Sequence, residues 1–430
     1  MNDLNVGLVG LGTVGTGVAR IILEDADAIA ARTGVRLVLK AICDLDTTRD
    51  RGLRLPHGLL SDRLDAVLGD PAVDVVVELV GGTTFARELI LQALDRGKHV
   101  VTANKALLAQ HGQDLFRRAA ERRRSISFEA GVCGGIPIIH AIRDGYVAGD
   151  ITQIVGIVNG TCNYILTQMA REGASYSDAL RRAQEQGFAE SNPSLDVEGT
   201  DSAHKLAILA RLAFAEEIDF ASIHTEGITR IEPIDIQFGA EMGYVLKLLA
   251  IAKQIEDRLE LRVHPAFLLR DHPLASVAGV FNAVWIRGEA TGDTMHYGRG
   301  AGQMPTAAAV VTDLIDVSLG RAAISAAAFR ALSGDLPRAV IRDSTAIESR
   351  YYLRFSVVDR PGVLSAISGV LGRHAISIAS ARQPEQSPDR DVPIVMVTHL
   401  ARERDTIAAL HQIDSLDVVK RRTQLIRIER

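Results

Sequence analysis

Residues 5–23, NVGLVGLGTVGTGVARIIL, constrain the fold more than any other stretch of the chain. A short apolar strand runs into a glycine-rich turn, and an amphipathic helix follows. Gly10, Gly12 and Gly15 match G-x-G-x-x-G with a strand before it and a helix after it, which is the context that gives the pattern meaning. Glycine at these points permits a tight turn, close approach of backbone to a pyrophosphate, and tight packing of the helix on the sheet. The helix N-terminus then meets the negative charge. The next strand, VRLVLKAICDLD, ends at Asp44. A carboxylate there accepts the ribose 2′-hydroxyl of NAD and repels the 2′-phosphate of NADP. Arg49 and Arg51 follow closely and can soften that preference. VDVVVELVGG reads as a buried parallel strand, and FARELILQALDRGK as the helix after it. HVVTANKALLA is the next strand and turn. It delivers Lys105 to the carboxyl edge of the sheet, where open α/β sheets bind their ligands.

SISFEAGVCGGIPIIHAI reads as a strand with Glu129 near its end and a glycine-rich turn behind it, a connection between domains on the residues alone. GIVNGTCNYILTQM places a turn at Asn159 and Gly160 between a strand and a helix. FLLRDHPLASV and VFNAVWIRGEA read as strands of an open sheet. GDTMHYGRGAGQMPTAAAVVTDLIDVSL is a second glycine-rich turn, and the Ala/Val-rich helix it feeds is suited to pack back on the nucleotide domain. Residues 331–349 read as a linker. Beyond it strand, helix, strand, strand, helix and strand follow in a ferredoxin-like βαββαβ plan. Its Asp359-Arg360-Pro361-Gly362 turn stands just before a helix. We therefore expect an α/β chain in three parts: a Rossmann-type nucleotide-binding domain over 1–130 (with the helix near 302–320), an α+β catalytic and dimerisation domain over 131–330, and a terminal unit over 350–430 that is separable from catalysis.

The richest chemistry lies in residues 184–212, QEQGFAESNPSLDVEGTDSAHKLAILARL. Asn-Pro, a Gly and Thr-Asp mark a loop that ends at a helix start. Glu190, Asp196 and Asp201 fall close together, and Lys205 stands one helical turn after Asp201. Carboxylates can hold a substrate ammonium, and a desolvated lysine can polarise an oxygen or move a proton. The same pattern also describes an ordinary ion pair beside a solvated loop. Lysine is scarce here, seven against forty-one arginines, so a lysine inside a motif carries more weight than usual.

Composition excludes several classes. A net charge of −5 gives no general affinity for nucleic acid. No apolar run nears the ~20 residues of a membrane span. Cys43, Cys133 and Cys162 form no CxxC pair, which points to reduced thiols in a cytoplasmic protein. The N-terminus has no signal-peptide pattern.

In this order, GLGTVG, TANKALLA, GGIPII, NGTCNYIL, GFAESNPSLDVEGTDSAHKLAIL and GRGAGQMPTA resemble bacterial homoserine dehydrogenases over nearly the whole chain, and the DRPGVL unit resembles an ACT domain. The resemblance implies NAD(P)-linked interconversion of L-homoserine and L-aspartate 4-semialdehyde, on the route to threonine and methionine. By matched motif it implies that Gly10, Thr13, Val14, Gly15, Thr102 and Gly302 touch the cofactor, and that Lys105 lines both cofactor and substrate. It places Gly187, Glu190, Asp196 and Asp201 around the substrate and makes Lys205 the proton donor, although Lys105 is the other candidate. It implies a monovalent cation, sodium or potassium, at the turn of Glu129, Val132, Gly134 and Ile136. It further implies a homodimer or homotetramer, with an amino acid such as threonine as effector of the ACT unit. Cys133 and Cys162 depart from the small or hydroxyl residues usual at their positions. An amino-acid sensor on a degenerate dehydrogenase, or a dehydrogenase for a related amino alcohol, are the competing readings, and the intact Lys105, Asp201 and Lys205 weigh against the sensor.

Overall fold

The structure is a computed structural model, and it describes residues 2–332, 334–383 and 391–429. Two compact units share the chain discontinuously. The first comprises residues 1–160, 201–223 and 280–339, and the second comprises 161–200, 224–279 and 340–430. This grouping cuts across the contiguous segments that the sequence invites.

In the first unit, strands β1 (Asn2–Val9), β2 (Val35–Cys43), β3 (Leu60–Ser61), β4 (Val75–Glu78), β5 (His99–Thr102) and β6 (Ile126–Ser127) form a parallel sheet in the order 3-2-1-4-5-6. This is the doubly wound order of dinucleotide-binding sheets. Val75, Val76 and Val77 are wholly buried, as a strand covered on both faces requires. The helix Thr13–Glu24 follows β1 directly. The helix Gln303–Ser318 lies against it so closely that a Cβ on Gly17 would stand 2.9 Å from the Ala307 side chain. Ala307, Val310, Val311 and Leu314 from that later helix join the same core as Val18, Ile22 and Val6. Three antiparallel strands, Ile151–Ile157, Phe281–Gly288 and Gly292–Arg299, complete the unit with Phe281–Gly288 in the middle. The helix Thr200–Phe214 is buried along most of its length.

The second unit is built on a hairpin of two twelve-residue strands, Tyr244–Ile255 and Arg258–Leu269. The expected strand at 267–277 is displaced. The real one ends at Leu269, and Pro273–Ser276 is a short 3-10 turn, since Pro273 fixes φ and lacks a donor. The terminal residues fold in the βαββαβ plan, with strands Glu348–Val357, Ile378–Arg382, Val392–Thr398 and Val419–Glu429 and helices Val363–Arg373 and Glu403–Asp414. That module does not stand apart. Strand Val419–Glu429 runs parallel to Arg258–Leu269, with Ala266 opposite Arg427, Phe267 opposite Ile428 and Leu268 opposite Glu429. Buried ions reinforce the seam. Glu429 accepts from Arg262 at 2.9 Å and from Lys253, while Arg427 bonds Glu403 and reaches Glu226 at 2.9 Å. Arg354 and Tyr352 both bond the fully buried Asp235.

The terminal unit extends the second unit's sheet through this pairing. The stretch read as a linker is also pinned, through bridges from Glu217 to Arg338 in the first unit and from Leu259 to Ile341 in the second.

Candidate active site

The glycine turn has the shape its sequence demands. Gly10 adopts φ +98°, a region that costs an L side chain strain, and a Cβ there would meet the Leu79 carbonyl at 2.6 Å. A Cβ on Gly15 would lie 2.0 Å from the Gly10 carbonyl. A Cβ on Gly12 would meet nothing within 4 Å, so the turn opens outward there. The helix Thr13–Glu24 starts at Gly12 with no side-chain cap, which leaves its first N–H groups to receive an anion. Thr13 and Val14 form its first turn, and the Thr13 carbonyl accepts from Gln303 at 3.0 Å. Gly302, at φ +123°, immediately precedes the helix that carries Gln303. The donor set therefore fits a dinucleotide phosphate.

Across the sheet, Thr102 at the end of β5 donates to Glu78 at 2.6 Å. Burial pushes the Glu78 carboxyl up, against the pull of Thr102 and two backbone N–H groups. The Thr102 hydroxyl also receives the Asn104 N–H at 2.9 Å. Asn104 in turn caps the helix Lys105–Glu121 by accepting from Leu107 at 3.1 Å. Lys105 is thus the first residue of a helix that follows the strand. Its ammonium meets Asp201 at 3.2 Å.

Asp201 stands in the first turn of the helix Thr200–Phe214, with Lys205 one turn later at 2.8 Å. The Asn159 amide donates to Asp201 at 2.9 Å, and Lys205 also donates to the Val158 carbonyl at 2.6 Å. Burial alone would raise the Asp201 carboxyl. The ammonium groups of Lys205 and Lys105 outweigh it and hold the acid well below the usual carboxylate range. One buried carboxylate thus fixes two ammonium groups at the carboxyl edge of a dinucleotide-type sheet. Beside them His204 stacks on Phe220 at 4.6 Å, and burial keeps its imidazole neutral further down the pH scale than usual.

Glu190 and Asp196 belong to the second unit, on the stretch that leads into Asp201. That stretch is held to the helix Gly160–Glu172. Thr161 donates to the Phe188 carbonyl at 2.7 Å, the Cys162 thiol donates to the Asp196 carbonyl at 3.1 Å, and Tyr164 packs on Phe188 at 5.0 Å. Gly187 turns the chain at φ +72°, and Glu190 is exposed.

The turn of Glu129, Val132, Gly134 and Ile136 has an unusual backbone. Cys133 sits at φ 51°, and the Asn282 amide donates to its sulfur at 3.5 Å. Val132 and Gly134 are buried, yet their carbonyls accept no hydrogen bond among the described residues. The Glu129 carbonyl receives only a long contact of 3.5 Å from the Val132 N–H. Its carboxylate is engaged elsewhere, by the Ile139 and His140 N–H groups and by the His140 ring. No cluster of three His, Cys, Asp or Glu side chains suited to a metal ion occurs among the described residues.

Comparison with known proteins settles the family. The chain is 41% identical to a homoserine dehydrogenase of Pseudomonas aeruginosa, covering 100% of this chain and 99% of that one. The chain belongs to the homoserine dehydrogenase family. The family pattern named homoserine dehydrogenase matches residues 137–315, its NAD-binding domain matches 10–129, and an ACT domain matches 351–417. The fold agrees. A homoserine dehydrogenase from Thiobacillus denitrificans superposes with a TM-score of 0.93 at 41% identity, over 100% of this chain and 99% of that one. A hyperthermophilic archaeal homoserine dehydrogenase, seen in complex with NADPH, matches 74% of this chain and 98% of its own at 27% identity and a TM-score of 0.62. No helix among the described residues is long and apolar enough to cross a membrane. Asn104 and Glu78 were not singled out from sequence, and Asn159 was read only as a turn residue. Asn104 stands next to Lys105 as a helix cap, and Glu78 is a lone acid in a run of buried valines.

Proposed function

We propose that the chain interconverts L-homoserine and L-aspartate 4-semialdehyde, and that Lys105, Asp201 and Lys205 carry the chemistry. The observation behind this reading is the single buried carboxylate holding two lysines, one of them on the helix that follows β5 of the dinucleotide-type sheet. A bound nicotinamide dinucleotide supplies or accepts the hydride. Gly10, Gly12, Thr13, Val14 and Gly15 would hold its phosphates, with Thr102, Lys105 and Gly302 at the same edge. In the reducing direction the aldehyde oxygen needs a proton as it becomes a hydroxyl. Lys205 is assigned that proton because Asp201 and the Val158 carbonyl fix its position. Lys105, with a side chain 37% exposed, reaches toward solvent and orients the oxygen. Glu190 and Asp196 receive the substrate ammonium, with Gly187 letting the chain turn beside them.

Both nicotinamide dinucleotides serve, NAD at least as well as NADP. Asp44 supports the first, and the archaeal relative bound to NADPH supports the second. The donor-free carbonyls of Val132 and Gly134 support a monovalent cation at that turn, shared with the Glu129 and Ile136 carbonyls, since hard cations take oxygen ligands. Met295 and Tyr297 are exposed on the edge strand Gly292–Arg299, which supports assembly of copies into a homodimer or homotetramer in the cytoplasm. The ACT match supports an amino-acid effector, with threonine the first to try.

The test is homoserine-dependent formation of NADH or NADPH by the purified protein, with and without threonine. Absence of turnover with either cofactor would sink the catalytic reading. Turnover that ignores threonine would remove the effector.

A further inference from the structure

Arg51 lies where a dinucleotide's ribose reader should stand open. Its Nε donates to the Leu11 carbonyl at 2.8 Å, inside the glycine turn itself. Its Nη1 donates to the Arg49 carbonyl at 2.9 Å, and its Nη2 reaches Asp44 at 3.3 Å and the Asp46 carbonyl. The side chain is only 8% exposed and that of Asp44 17%. Asp44 is engaged as well. It accepts the Leu11 N–H on one oxygen and the Asp46 N–H, at 2.9 Å, on the other. A guanidinium that spans four acceptors across the end of β2 and the glycine turn is not an idle surface charge.

The loop that carries it is fastened at both ends: Asp46 accepts the Thr48 and Arg49 N–H groups at 3.1 and 3.0 Å before Arg51, and other contacts hold the residues after it. Leu53 and Leu55 pack on the core of the first unit, and Arg20 from the helix Thr13–Glu24 holds the Gly52 carbonyl at 3.2 Å. Leu45, next to Asp44, is 95% exposed.

We propose that Arg51 is a built-in occupant of the ribose subsite, which an entering dinucleotide displaces and which then reads the 2′ position in opposition to Asp44. With Arg51 in place the Asp44 charge is compensated, so the acid does not act as a bare repulsive carboxylate. Once displaced, the guanidinium stays tethered within reach of the same spot and offers a forked donor to a 2′-phosphate. Asp44 favours the 2′-hydroxyl, Arg51 the 2′-phosphate, and their balance lets one site admit both cofactors. This inference rests on the reading that the glycine turn binds a nicotinamide dinucleotide.

The test uses the full chain and two adenosine probes, AMP and adenosine 2′,5′-bisphosphate, titrated calorimetrically into wild type and Arg51→Ala. The ratio of their dissociation constants is expected to move at least fivefold against the bisphosphate in the variant. A smaller movement overturns the proposal. If Arg51→Ala fails to fold by circular dichroism, Arg51→Lys replaces it. Lysine keeps the charge but cannot span the four acceptors, and a shift below twofold in the same direction overturns the proposal. If wild type binds neither probe, the ribose-subsite assignment falls. If the probes bind as expected but no homoserine is oxidised, only the substrate reading falls.

Discussion

Replacing Asp201 by asparagine tests the centre of the site with almost no change of shape. In the folded protein the carboxylate is 8% exposed and accepts from Lys205, Lys105 and Asn159. Asparagine removes the negative charge and leaves two ammonium groups facing each other across a neutral amide. Removing one partner of a buried ion pair costs about 3–5 kcal/mol, because the other charge stays desolvated and uncompensated. The lower end applies here, since Lys105 is partly exposed and can turn toward water. We expect a loss of about 3 kcal/mol from the first unit. A kcat loss of roughly 10²-fold or more should accompany it, because the proton donor is no longer fixed or held charged. The pH dependence follows from the sign of the shift. Asp201 titrates below its unfolded value, so its stabilising contribution is fully present above the unfolded pKa of about 3.9 and is lost as pH falls from there toward the lower folded value. The wild-type advantage over Asp201→Asn should therefore be constant at neutral pH and shrink in acid. Thermal unfolding of both proteins from neutral to acid pH, with kcat at neutral pH, decides the matter. Equal turnover, or a stability gap that widens in acid, would refute the argument.

Lys205→Ala and Lys105→Ala should each lower kcat by roughly 10²-fold or more, read from steady-state rates; near wild-type turnover in both would remove the lysines from the chemistry. Glu190→Gln should instead raise KM for homoserine with little change in kcat, and an unchanged KM would exclude Glu190 from ammonium binding. A chain ending at Leu336 should be insoluble or unfolded by circular dichroism, because Lys253 and Arg262 lose Glu429 and the strand Arg258–Leu269 loses a neighbour. A soluble, active truncated protein would show that the terminal module is dispensable after all.

Local patterns in the sequence carried the nucleotide fold because each of its parts is local. Gly10 must lack a side chain for its own φ of +98°, Gly15 for the Gly10 carbonyl five residues before it, and Val75–Val77 announce a strand covered on both faces. The Asp201–Lys205 pair was equally legible, being one helical turn. Lys105 was read as lying in a turn just after a strand, and the structure makes it the first residue of a helix that Asn104 caps. The contacts that the linker stretch and the terminal module make with the rest of the chain were not legible, for the opposite reason. The pairing of Arg427 with Ala266, or of Arg338 with Glu217, joins residues over 100 positions apart and leaves no periodicity in either partner. Arg51 was legible as a neighbour of Asp44 but not as its partner, since only the folded loop brings the two within 3.3 Å.

The parallel strand Val419–Glu429 has a consequence during synthesis. Its partner Arg258–Leu269 leaves the ribosome about 150 residues earlier, roughly ten to thirty seconds at ordinary translation rates. Through that interval the nascent hairpin presents an unpaired stretch of edge, the kind of surface that captures other chains. The ions that later bond Glu429 stand on this hairpin already, Lys253 on one strand and Arg262 on the other. Charges on an open edge discourage pairing with a stray apolar strand. The same residues that lock the finished sheet thus keep the place for one strand, and Glu429, arriving late with the matching charge, is the strand's credential.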